Sequence, residues 1–122
     1  MNESEKPELI PGLNSIENKL DLNEYVIREP ASTFYVKVKG HSMTDAGIED
    51  GDLLVVDKSV DPTNNTIVVA YINGEFTVKK ISTIDGKLYL IPKSPDYQPI
   101  EITESMDFEV WGVVVYVIHK TR

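Results

Sequence analysis

The sequence predicts an all-β domain of mostly antiparallel strands at residues 31–122, preceded by an extended arm at residues 1–30. Two observations carry that prediction. After Pro30 the chain breaks into short runs rich in Val, Ile, Tyr, Phe and Thr, the residues that fit a pleated, half-buried surface. Between the runs stand explicit turn signals, "EDGD", "DPTNN", "NG" and "DG", and two of them make the tight hairpins "YINGEF" and "TIDGKL" that join antiparallel neighbours.

The arm is mostly charged or amide residues broken by Pro7, Pro11 and Gly12, with too few apolar side chains to build a core and one short helical turn around "SIENKL". The strand candidates follow in order: "TFYVKVK" at 33–39, "DLLVVD" at 52–57, "TIVVAYI" at 66–72, "EFTVKKI" at 75–81, "KLYLIP" at 87–92 and "PIEIT" at 99–103. The last, "FEVWGVVVYVIHK" at 108–120, is apolar on both alternating faces, which places it in the middle of the domain or at a subunit contact. Little or no helix is expected in this body, except just after Ser42. No internal repeat is visible.

Composition narrows function. Twelve basic against twenty acidic residues leave a formal charge of -8 in 122 residues, so the surface repels phosphate backbones and direct DNA binding is not expected. The absence of cysteine excludes disulfides, thiolate nucleophiles and cysteine-ligated zinc. His41 and His119 are the two histidines, and neither has a metal-ligand companion at useful spacing, so neither a metal nor a cofactor is expected. The opening "MNESEKPELI" lacks the basic start and apolar run of a signal peptide, and no stretch approaches the roughly 20 apolar residues that span a bilayer. A cytoplasmic, membrane-free protein is the expectation.

The stretch that carries chemistry is "GHSMTDAGIEDGDLLVVD" at 40–57. A serine hydroxyl attacks only when a nearby group takes its proton. His41 is adjacent to Ser42, and consecutive side chains of an extended chain point to opposite faces, so it is badly placed as the base. A lysine can serve instead, which directs attention to "EFTVKKI". Phe76, Val78 and Lys80 share one strand face, and Glu75, Thr77, Lys79 and Ile81 the other. Alternation favours Lys80, because Phe76 and Val78 are the larger apolar pair, and leaves both lysines open. A lysine base must lose its proton near neutrality, a shift of roughly 3 pKa units that desolvation is able to supply. Each residue also has a plain structural use, Ser42 in a polar turn and the lysines as surface charge or snorkelling side chain.

Several separated motifs in one order go further: "GHSM" closing a strand, then "GIEDGDLLVVD", "GEFTVKKI", "LIPKSPDYQPI" and "DFEVWGVVVYVI". Together they closely resemble the LexA/UmuD family of self-cleaving SOS proteins (S24 serine peptidases), and "DLNEYVIREPASTFYVKV" ahead of the serine is most similar to its UmuD branch. The likeness runs from Phe34 to the C-terminus. It implies compact curved sheets of a β-clip-like fold and a Ser/Lys dyad with Ser42 as nucleophile and Lys79 as general base, in place of the Lys80 that alternation favours. A bulge in the strand would reconcile the two. It further implies an oxyanion held by backbone N–H groups of His41 and Ser42, no catalytic role for the His41 side chain, Met43 packed beneath the serine, and "GIEDGD" as a sharp turn eased by Gly51 rather than a metal loop.

Such proteins cut a bond in their own arm, usually between a small residue and glycine. The arm's one glycine, Gly12, follows Pro11, so Pro11–Gly12 is the candidate bond and departs from the pattern, since proline fixes the backbone. The resemblance implies a homodimer, a RecA filament as co-protease, and a Y-family, UmuC-like translesion polymerase as the partner served after processing in a bacterial cytoplasm. Two other readings stand beside it: the C-terminal half of a LexA-like or prophage repressor, and a non-catalytic binding module of the same fold.

Overall fold

The structure, a computed structural model, describes residues 23, 26, 27 and 29–121. The Pro11–Gly12 bond, the helical turn in "SIENKL" and nearly all of the arm lie outside the described residues. Of the arm's end, Asn23 and Val26 stand in a helical turn closed by the Ile27 N–H on the Asn23 carbonyl at 2.9 Å, and Val26 is buried.

The body is all-β, as expected. Seven strands form one open sheet: β1 (Thr33–Lys37), β2 (Leu53–Asp57), β3 (Ile67–Ile72), β4 (Glu75–Ile84), β5 (Lys87–Ile91), β6 (Ile100–Glu101) and β7 (Phe108–Ile118). Two 3-10 turns accompany them, Pro30–Ser32 before β1 and Thr44–Ala46 just after Ser42, where a helical turn was expected. The spatial order is β1-β2-β7-β3-β4-β5-β6, and every neighbouring pair is antiparallel. The two tight hairpins form where their turn residues stand: Asn73 and Gly74 both have positive φ (47° and 92°), as do Asp85 and Gly86 (53° and 75°), the requirement of a type I′ turn.

The two-sided apolar strand at 108–118 lies inside the sheet, between β2 and β3. Successive residues of β3 serve different cores, since Val69 joins Val38, Met43, Ile48, Leu54 and Val56, while Val68 joins Ala70, Ile81, Leu90 and Val113. Apolar side chains are therefore needed on both faces of the central strands, which is why these runs do not alternate.

β7 carries one residue more than each neighbour can match. Against β3 the register passes from Val69↔Gly112 to Ala70↔Val110, leaving Trp111 as the extra residue. Against β2 it passes from Val55↔Tyr116 to Val56↔Val114, leaving Val115. The first bulge presents Trp111 edge-on to Phe76 (centroids 4.9 Å apart) and Phe34 (6.4 Å), under the Lys58 ammonium at 4.6 Å. Beside it, Gly112 meets β2 so closely that a Cβ there would lie 2.7 Å from Val56 Cγ1. Among the described residues no helix is long and apolar enough to cross a membrane.

Candidate active site

Ser42 and Lys79 are 37 residues apart in sequence, and the sheet's edge brings them together. β5 pairs with β4 from Ile84↔Lys87 to Lys80↔Ile91 and stops, so residues 75–79 of β4 have no strand on that edge among the described residues. Two residues past the end of β5, the backbone of Lys93 stitches the serine turn into this gap. Its N–H donates to the Ser42 carbonyl at 2.7 Å and its carbonyl accepts from the Asp45 N–H at 2.7 Å. Lys79, the first β4 residue beyond the β5 ladder, thus stands beside Ser42.

The Lys79 Nζ contacts three oxygens: Ser42 Oγ at 2.8 Å, Thr77 Oγ1 at 2.7 Å and the Val78 carbonyl at 3.1 Å. Three acceptors match the three N–H bonds of an ammonium. Burial nonetheless pushes the Lys79 pKa down from the ordinary lysine value, because leaving water penalises the charged form and no carboxylate among the described residues offsets it. In the neutral amine, Thr77 and Val78 take two N–H bonds and the remaining tetrahedral position, the lone pair, faces the serine hydroxyl.

Lys80 does not make this contact. It pairs with Ile67 on β3 and Ile91 on β5 in a ladder that continues without a register shift, so no bulge in β4 reconciles alternation with the position of Lys79. Alternation pointed to the lysine that does not reach Ser42, because it took Phe76 as buried. Phe76 is 58% exposed, whereas Lys79 lies opposite the buried Val68 and two residues from the buried Ile81.

The turn that presents Ser42 is built from both sides. Gly40 has φ 103°, a conformation open to glycine and strained for other residues, and its N–H donates to Asp50 Oδ1 at 2.8 Å. Met43 is 2% exposed, packed into the first core beside the serine, and its carbonyl accepts from Ala46 and Ile48. Gly51, φ 91°, closes the acidic turn, and its N–H donates to the Val38 carbonyl at 2.8 Å. The His41 side chain is exposed, and the backbone N–H groups of His41 and Ser42 carry no hydrogen bond to another described residue.

A cleft of about 250 Å³ leads to this pair, walled by residues 36–40 on one side and 76–79 on the other, with Ser42, Met43 and Val69 completing it. Sequence reasoning missed Thr77 and Lys93. Thr77 was legible as the residue two before Lys79 on the same strand face, whereas Lys93 acts through its backbone and leaves no signal in residue type.

Comparison with known proteins agrees in extent with these elements. A family profile described as Peptidase S24-like matches residues 6–115. Protein SamA of Salmonella typhimurium is 43% identical over 112 residues, covering 92% of this chain and 77% of that protein. Protein ImpA of Escherichia coli is 40% identical over 120 residues, covering 92% and 76%. The LexA repressor of Stenotrophomonas maltophilia is 39% identical over 97 residues, which is 80% of this chain and 46% of the repressor.

Proposed function

Because the chain belongs to the Peptidase S24-like family, we propose that it is a self-cleaving serine peptidase in which Ser42 is the nucleophile and Lys79 the general base. The observation that carries the reading is the 2.8 Å contact between Lys79 Nζ and Ser42 Oγ, made by a lysine whose pKa burial lowers. Neutral Lys79 takes the hydroxyl proton as Ser42 Oγ attacks the scissile carbonyl. It returns that proton to the departing amine, leaving an ester on Ser42 that water hydrolyses. The N–H groups of His41 and Ser42, which bond to no other described residue, support their use as donors to the oxyanion of the tetrahedral intermediate.

The substrate under this reading is the chain's own N-terminal segment, with the bond before Gly12 as candidate and a RecA filament on single-stranded DNA as the assisting factor. The processed form would act as a dimeric accessory subunit of a Y-family translesion polymerase in SOS mutagenesis. The coverage of the SamA and ImpA proteins, about three quarters of each, favours this over the repressor reading, for which the LexA match covers less than half.

Intact-mass measurement of the wild type, Ser42→Ala and Lys79→Ala after incubation at pH 7 and about pH 10, with and without RecA filaments, tests the proposal. The wild type should lose a discrete N-terminal fragment, faster at the higher pH. Each variant should be slower by a factor on the order of 10⁴ or more. Equal cleavage in the Lys79 variant would remove lysine from the mechanism, and no fragment under any condition would leave a binding module of this fold.

A further inference from the structure

We infer that His119, just beyond the end of β7, is a positioning residue for the Ser42 turn, acting through Asp52 and the acidic turn at 49–52. This inference rests on the reading of Ser42 as nucleophile and adds to it a residue that no step of the chemistry uses. His119 Nδ1 stands 2.6 Å from Asp52 Oδ1, and its Nε2 lies 3.5 Å from Glu49 Oε2. The imidazole is half-exposed, whereas the Asp52 side chain is 2% exposed, so the contact joins a solvent-accessible ring to a buried carboxylate.

That carboxylate is the hub of the turn. Its second oxygen accepts the Glu49 N–H at 2.8 Å, while the Asp52 backbone accepts the Val38 N–H at 2.8 Å and donates to the Glu49 carbonyl at 3.0 Å. Around it, Gly51 N–H holds the Val38 carbonyl, Asp50 holds the Gly40 N–H, and Ile48 N–H holds the Met43 carbonyl. Every residue of the 48–52 turn except Glu49 is therefore bonded directly to the 38–43 segment, and Glu49 is bonded to Asp52. What secures Asp52 secures the segment carrying Ser42.

A buried carboxylate is tolerated only where hydrogen bonds and opposite charge compensate its lost hydration. Here the compensation is one backbone N–H and His119. The charged groups that face His119 are Asp52 and Glu49, both from the turn. Asp50 is committed to Gly40, and residues 53–56 of the adjoining β2 are uncharged. The Asp52 hydrogen bond and the two carboxylate charges raise the His119 pKa above the ordinary histidine value, and the Glu49 N–H, helped by His119, holds the Asp52 carboxyl below the usual carboxylate range. The brace is therefore fully charged between the lowered Asp52 pKa and the raised His119 pKa, and it loses its charge as pH rises through the latter. Lys79 titrates the other way for function, since it acts when neutral.

Amide hydrogen exchange on the full chain, run beside the self-cleavage assay across pH, tests this with the wild type, His119→Gln and His119→Arg. In the Gln variant the protection factors of the Val38 and Gly40 amides should fall about tenfold, the scale of one charge-assisted hydrogen bond. Amides of the β4–β5 hairpin should stay as in the wild type. The Arg variant should hold protection and abolish the pH dependence that the wild type shows across the His119 titration. Self-cleavage should slow in the Gln variant in proportion and recover in the Arg variant, with the Lys79-controlled rise unmoved. Unchanged protection in the Gln variant, a loss spread equally over the hairpin, or no recovery with Arg would each overturn the inference. A wild type that never cleaves would overturn the dyad alone, because the exchange readout does not depend on it.

Discussion

Lys79 holds its amine against three oxygens, with no carboxylate partner among the described residues, and burial disfavours the charge. A folded pKa below the unfolded value means that the unfolded chain binds the extra proton between the two. Stability therefore rises with pH across that window and is lost as pH falls through the folded pKa. At pH 7, below the ordinary lysine pKa, the folded protein carries a cost from burying Lys79 that an uncharged side chain would not. Replacing it with methionine, similar in length and uncharged, should raise the thermal midpoint by a few degrees at pH 7. The gain should shrink as pH rises toward about 10 and vanish above it, where the unfolded lysine is neutral as well. Thr77 and Ser42 line an open cleft and regain water as partner, so losing Nζ leaves no dry orphan. Denaturation of Lys79→Met and wild type at both pH values checks this, and a variant less stable at pH 7 would show that the three hydrogen bonds outweigh the desolvation.

Among the elements, β7 repeats the lesson in backbone terms. Its bulge at Trp111 needs Gly112 beside it, because β2 approaches so closely that a Cβ would lie 2.7 Å from Val56 Cγ1 and 3.3 Å from the Asp57 carbonyl. Val56 is fully buried and the Asp57 contact is backbone, so neither yields cheaply. Gly112→Ala should cost about 1 to 3 kcal/mol, measured as a lower denaturant midpoint, with the Phe76–Trp111 contact disturbed in the fluorescence of the single tryptophan. A near-neutral result would mean that β2 and β7 are free to part there. Local chemistry of this kind divides what the sequence could tell. The hairpins at Asn73 and Gly74 and at Asp85 and Gly86 were legible, since the turn residues themselves demand the positive φ observed. The strand runs were legible to within a residue or two, except that 75–81 extends to Ile84 and 99–103 yields only Ile100–Glu101. The bulge was not, because it depends on how three strands meet, and with it went the exposed position of Phe76 and any sound choice between Lys79 and Lys80 by alternation. Only the family motifs pointed to Lys79, and the braces through Asp50, Asp52 and the Lys93 backbone had no signature of their own.

Over the whole molecule, the order β1-β2-β7-β3-β4-β5-β6 places the chain's last strand between two halves that precede it. The β1–β2 pair and the β3–β6 meander each form from near neighbours in sequence, and β7 joins them through ladders to both β2 and β3. Both cores depend on that insertion: the first draws Leu54 and Val56 from β2 and Val69 from β3, and the second includes Val113 of β7 itself. A chain ending at Asp107 would expose the ladder edges of β2 and β3 and uncover both faces of the centre. It should show no cooperative melting and no fixed near-ultraviolet signal, although the hairpin sequences are intact. Adding the 108–121 segment as a separate peptide should restore a transition whose midpoint rises with peptide concentration, because binding to the folded form shifts the equilibrium by mass action. Cooperative melting of the shortened chain alone would mean that the meander is an independent folding unit. The Ser42 turn, which leans on the acidic turn and on Lys93 just past β5, would then be the part that needs β7, through His119 just past its end.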